Sequence, residues 1–420
     1  MKANIMFLIS TLIALTFSTT LIYTTSTLQE RQIIHENAEL GKVCETKEGN
    51  NVIISKSVNE AGKTLLSKLD KGGNFIYHNS KFNLDYSMNA QITETKTTSE
   101  ENEYTIYYKK SGKEYLNQFK DKGEDLKKVY TFDTYNKIVS TLTLKNEKVF
   151  LAGIKEPSAD FAKTTIEINI FDPLTQEVNP NGKTLDAYSK YISCAQLKDN
   201  EVYCAYVHEE SILRALLKIQ HFKISEDGFI TPSQPMLIKS FFTQFNSLKV
   251  IKLSQNKIGI LFQIGDTKYL EKIPYGNTGK DLFFYSLEVT PNSMEVLRYD
   301  YIFNNCRYKE DAEDYTIDII SPYEDTIYAI CEVDNGGKDA VQFQLIKIEG
   351  TDKKFEQTVL KLETKSNPKA LKNPSFVRME NSIGILFTRV DSKDKKDVML
   401  LMMNYPDCGE AVNKLKIFND

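Results

Sequence analysis

Asn256-Lys257-Ile258-Gly259-Ile260-Leu261-Phe262 recurs as Asn381-Ser382-Ile383-Gly384-Ile385-Leu386-Phe387, differing only at the second position. Looser copies of the run start at Asn200 and Asp325, and another, offset by one residue, starts at Asn146. Such self-similarity marks a repeat architecture and governs everything read after it. Each run follows an alternating apolar stretch, at 138–144, 191–197, 248–253, 315–320 and 376–379. An Asn or Asp sits at or beside the joining turn, where its side chain can bond the backbone and tolerate a left-handed conformation. Each unit therefore opens with a β-hairpin.

A third strand follows in every unit, at 165–171, 216–224, 282–289, 341–348 and 398–403. These stretches alternate with period two and are rich in β-branched and aromatic residues, as strands with a buried face are. Polar turns come next, and then a weaker fourth strand such as 236–242 or 295–301. Four antiparallel strands per unit is the arithmetic of propeller blades. The start of the chain is less regular. Residues 51–57 with 63–69 read as one blade, and 91–95 with 104–109 as another. The expectation is an all-β protein, a single β-propeller of seven four-stranded blades, with six and eight as the neighbouring counts. The likeness is to propellers as an architecture and covers residues 146–405 best.

The chain has 420 residues, 41% apolar and 26% charged, with a net charge of −4. That is apolar enough for a core, and it points to neither a nucleic acid nor an anionic membrane as partner. Lys2, the apolar centre from Ile5 to Phe17 and small residues up to Ser26 have the parts of a signal peptide. Cleavage after Thr20 and after Ser26 both fit, leaving residues 1–26 as leader and 27–420 as the propeller domain. The alternative is an uncleaved signal anchor, because the apolar run approaches spanning length. With cleavage, no membrane span is left. The expected location is secreted or extracellular. No Asn-x-Ser/Thr acceptor with a permitted middle residue occurs, so no N-linked glycan is expected.

Six cysteines lie outside the leader, and in an oxidising compartment an even count reads as disulfides. Cys194 and Cys204 flank a short turn and are expected to face each other across a hairpin. Cys306 then pairs with Cys331, and Cys44 with Cys408, the last tying the two ends of the ring together.

No motif for catalysis, cofactor or metal is found. Gly-x-Ser-x-Gly is absent, and the Tyr275 to Lys280 stretch has the wrong glycine spacing for a phosphate loop. His35, His78, His208 and His221 share no metal-binding spacing and read as partly exposed strand residues. The acidic run from Glu310 to Asp314, with Asp318 beyond it, lacks the glycine and alternation of a calcium loop. Without Trp, WD-type and sialidase-type repeats are excluded.

The widest repeat interval, from Asn256 to Asp325, marks the unit with extra sequence. Its excess lies in two long loops, 265–281 and 304–314, which in a propeller leave from the same face. They carry Lys268, Tyr269, Lys272, Tyr275, Tyr308, Glu310 and Asp311, a composition suited to a binding rim. The reading is a secreted or surface binding module for a protein or glycan. The alternative is a propeller enzyme, a glycoside hydrolase or lyase, with carboxylates around the channel.

Overall fold

The computed structural model describes residues 22–23 and 29–404, leaving aside 83–89, 98–101, 111–112, 121–126, 133–136, 156–163, 176, 180, 186–187, 212–213, 242–244, 265–280, 304–316, 324–325, 334–341, 350–355 and 362–369. Its strands form seven antiparallel sheets, which makes the chain a seven-bladed β-propeller. No helix occurs among the described residues, so none there is long and apolar enough to cross a membrane.

The first blade comprises Ala38–Glu45, Asn51–Ser57, Thr64–Leu69 and Phe75–Phe82. The second has Gln91–Thr97, Asn102–Lys110, Lys113–Lys120 and Lys127–Phe132. Both irregular early stretches thus belong to blades. Lys137–Thr143, Val149–Lys155 and Thr165–Asp172 build the third, with two short outer strands. The fourth has Ser189–Lys198, Glu201–Ser211 and Arg214–Ile224, with Ile230–Pro232 and Met236–Phe241 outside. The fifth has Phe245–Lys252, Lys257–Ile264, Asp281–Thr290 and Ser293–Phe303. The sixth has Ile317–Tyr323, Thr326–Val333, Gln342–Glu349 and Glu356–Lys361, with Ile22–Tyr23 running parallel to the last.

The seventh blade differs in origin. Ala370–Arg378, Ser382–Val390 and Lys396–Asn404 are its own, but its outer strand is Gln29–His35, from the start of the chain. Main-chain hydrogen bonds therefore close the ring, not the expected Cys44–Cys408 disulfide. Cys44 is a free thiol in the seam between the first and second blades. Burial pushes it up to about 12, which leaves it unreactive at neutral pH. Cys408 lies outside the described residues.

The turns bear out the hairpin reading in part. Asn200 is left-handed at φ 57°, and at the third blade's turn Glu147 takes that role at φ 62°, beside the expected Asn146. Cys194 and Cys204 face each other in register and are disulfide-bonded, with Cα atoms 4.1 Å apart. Cys331 is disulfide-bonded too, and its expected partner Cys306 lies outside the described residues.

A twisted sheet has two apolar faces, and only neighbouring sheets can cover both. Each of the seven seams between blades is accordingly an apolar cluster of its own. In the seam between the fourth and fifth blades, for example, Val207, Leu217 and Ile219 pack against Ile258, Ile260 and Phe262. The closing seam sets Ile34, Leu386, Val398 and Leu400 against Ala38, Leu40, Ile53 and Leu65.

The first strand of each blade borders the channel, and its inner edge needs partners for its N–H groups. Polar side chains of the preceding blade supply several. Ser193 Oγ accepts from Val250 N at 2.9 Å, Asp318 Oδ2 from Phe376 N at 2.8 Å, and Thr388 Oγ1 from Leu40 N at 2.9 Å.

Candidate functional site

Asp318 does more than stitch two strands. Its carboxylate also faces the channel, with Oδ1 3.9 Å from Lys249 Nζ and Oδ2 3.4 Å from Ser375 Oγ. Around it lies an axial cavity of about 250 Å³. The first strands of the first, fifth, sixth and seventh blades meet there. They bring Lys42 and Glu45, Lys249, Asp318, and Ser375 and Arg378 to its wall, with Asn51 from the first blade's second strand.

Each charged group alternates with apolar neighbours that anchor its strand in the seams. Ile317 and Ile319 bury on either side of Asp318, and Phe376 and Val377 lead into Arg378. These strands lie innermost in their blades, so polar side chains from either of their faces reach the axial cavity. Arg378 Nη2 donates to Ser321 O at 2.7 Å, and Asn51 Nδ2 donates to Arg378 O at 3.0 Å. These bonds hold the guanidinium at the end of the seventh blade's first strand.

The electrostatics are unusual for a surface-accessible cluster. Lys42 keeps some contact with solvent but is ringed by protein across the channel. Loss of hydration, reinforced by the like charge of Lys249 and opposed by Asp318, pulls its ammonium down to about 7. Glu45 is open to solvent by area, yet protein surrounds its carboxyl at the cavity mouth. Burial raises it, and the cations Arg378 and Lys71 pull the other way. The pocket thus holds three cationic side chains and two carboxylates, one of them already committed as an acceptor.

Of the residues singled out in the sequence, only Asp318 enters this pocket. The expected rim residues Lys268, Tyr269, Lys272, Tyr275, Tyr308, Glu310 and Asp311 all lie outside the described residues. Their flanking strands are described: Ile264 pairs with Asp281 and Leu282 with Phe303 at one end of the fifth blade. Glu45 and Arg378 stand at the other end of their strands, next to the first hairpin turns. The other pocket residues carry little local signal. Asp318 is the lone charge of its first strand, whereas Lys42 and Lys249 share theirs with other charges.

Two of the four histidines are more buried than expected, while His208 is half-buried as expected. His35 is fully enclosed between Ser55 Oγ, 2.7 Å from Nδ1, and Ser67 Oγ, 2.8 Å from Nε2. His221 is also buried, beside the ring of Tyr203, whereas His78 is exposed. A second cleft of about 280 Å³ lies beside the closing strand, lined by Ile33, Glu36, Glu60, His78 and Lys81. The Lys81–Glu60 ion pair spans one side of it at 2.5 Å. Among the described residues, no three His, Cys, Asp or Glu side chains gather as a metal site.

No protein-family model matches the chain, and no curated protein is similar to it in sequence. Solved structures are similar in fold. Hydrazine synthase from Kuenenia stuttgartiensis superposes with a TM-score of 0.53 at 8% identity, covering 92% of this chain and 99% of that one. The β-propeller domain of the trilobed protease from Pyrococcus furiosus, described as having an open velcro topology, gives 0.47 at 11% identity, covering 90% and 99%. The WD40 domain of SCAP from fission yeast gives 0.42 at 9%, covering 91% and 99%. At such identities the likeness concerns the fold alone. These neighbours range from an enzyme to a WD40 domain.

Proposed function

We propose that this chain is a secreted or cell-surface binding module that holds a glycan at the axial pocket. One observation carries the reading: strands from four blades converge polar and charged groups on a cavity sized for a single sugar ring. The leader-like start of the chain supports the secretory-pathway part of this reading. Asp318 supports binding over chemistry, because its Oδ2 is engaged by Phe376 N and by Ser375.

A second reading, a propeller lyase or hydrolase, draws on a specific pairing in the same pocket. Lys42 is held near 7, within reach of base chemistry, while Glu45 is raised toward an acid's role. One experiment separates the two. The mature chain, 27–420, is applied to a glycan array, and the retained glycans are incubated with it in solution. Binding without new chain ends is expected. Ends that accumulate with time, and vanish in Lys42→Met, would establish the enzyme instead. No retention of any glycan would sink the binding reading.

A further inference from the structure

We infer that the axial pocket selects a sugar bearing a carboxylate, a uronate-type residue, with Lys42, Lys249 and Arg378 holding the acid group. This rests on the reading of the pocket as a glycan site and deepens it.

The charge arrangement is the first reason. Lys42 faces Lys249 from the fifth blade, Asp318 from the sixth and Arg378 from the seventh, with Glu45 further along its own strand. Asp318 accepts from Phe376 N and lies 3.9 Å from Lys249, and with Glu45 it sets two carboxylates against three cations, a surplus of positive charge. Two ammonium groups are thus held together in a cavity walled by protein, where their repulsion is poorly screened. Lys42 yields its proton near neutrality chiefly because burial strips its water, and the like charge of Lys249 adds to the effect. An anion placed between them relieves the repulsion and restores the proton. Arg378 adds a planar donor suited to a carboxylate.

The second reason concerns the rest of the ligand. Asn51 is almost wholly buried in the cavity wall, and its Oδ1 has no hydrogen-bond partner. Glu45 at the mouth is a second acceptor. A bare carboxylate donates nothing to such groups, and neither does an acidic peptide side chain. A hydroxylated ring does. Phe376, Val377 and Ile319 line the wall between the polar groups, with their side chains anchored in three separate seams. The cavity, about 250 Å³, admits one such ring. Acid group, hydroxyl donors and a compact ring together describe a uronate.

The test is calorimetric titration of the mature chain with D-glucuronate, D-glucose, acetate and a tetraglutamate peptide. Glucuronate should bind at least about tenfold more tightly than each of the others. Its affinity should fall between about pH 6 and about pH 8, because binding takes a proton onto Lys42. Lys42→Met and Lys249→Met should each weaken glucuronate by about tenfold or more and so remove most of its advantage over glucose. Lys42→Met should melt at or above the parent temperature, since it removes a poorly hydrated cation. Lys42→Arg, always charged, should bind glucuronate with no pH dependence across that range. Equal affinity for glucose and glucuronate would overturn the inference while leaving a neutral-glycan site standing. Tighter binding of tetraglutamate would assign the pocket to an acidic peptide and overturn it. Failure of every sugar would sink both the inference and the reading beneath it.

Discussion

Gly259 and Gly384 occupy the same place in the two best-matched hairpins, and the structure supplies the steric reason. A Cβ on Gly384 would lie 2.3 Å from Val377 Cγ2, and one on Gly259 would lie 2.9 Å from Phe284 Cε2 and 3.2 Å from Ile251 Cγ1. Val377 and Ile251 are the residues directly across the hairpin. The crowding comes from side chains of adjacent strands in the same blade, not from the backbone of the next blade as the repeat alone suggests. Tyr203 stands at the equivalent place in the fourth blade, where its cross-strand partner is the small Ala195. In the fourth blade, large and small residues thus trade places across the hairpin, whereas Tyr328 in the sixth blade faces Ile320. Gly384→Val is expected to destabilise by about 1–3 kcal/mol, and Gly259→Val by less, since Phe284 contributes only a ring edge. Thermal melts of both variants check this; a parental melting temperature for Gly384→Val would remove the steric argument.

At the scale of elements, two strand pairings do separate jobs. The Cys194–Cys204 bond staples a hairpin whose register already brings the two residues opposite. Replacing both by Ala is expected to cost roughly 3 kcal/mol in the chain-entropy model, less where the hairpin persists in the unfolded chain. Denaturant titration of the double variant measures it, and an unchanged midpoint would make the bond ornamental. The closing strand ends in His35, whose ring bridges two serines of the first blade. Burial, with help from the His78 ring nearby, pulls His35 down to about 3 from 6.5. The folded state therefore keeps it neutral while the unfolded chain protonates it. The associated stability is intact above about pH 6.5 and is lost progressively as pH falls toward 3. The full span corresponds to about 4–5 kcal/mol as an upper value. His35→Gln, which can still bond both hydroxyls but does not titrate, should show a flatter loss of stability over that interval. An identical acid profile in the variant would assign the loss to other groups.

For the whole molecule, closure is the critical contact. The seventh blade's third strand, Lys396–Asn404, pairs with Gln29–His35 along its outer edge. Without that partner, a long apolar strand would present its unpaired backbone to solvent. Removing residues 1–35 should lower the melting temperature by more than any single side-chain change and promote association between molecules. Melting together with light scattering would show it, and a monomeric truncation with parental stability would deny the closing strand its role. Were the proposed leader cleaved after Thr20 or after Ser26, Gln29 would stay in place and the ring could still close.

Repetition is a local property, and local properties were legible from the residues alone. Hairpin positions, the third strands and the blade count follow from period-two alternation and turn chemistry, because each strand must bury its faces wherever it lies. The Cys194–Cys204 pairing was legible too, since a short turn fixes which residues oppose each other. Ring closure was not. Gln29–His35 carries no mark that it will join a blade more than 350 residues away, and only the geometry of a closed ring makes that edge its partner. The same holds for the axial pocket. Lys42, Lys249, Asp318 and Arg378 lie on strands far apart in the chain, and each reads as one ordinary charge. Only the convergence of the first strands on one axis places like charges together, withdraws their water and makes a site of them.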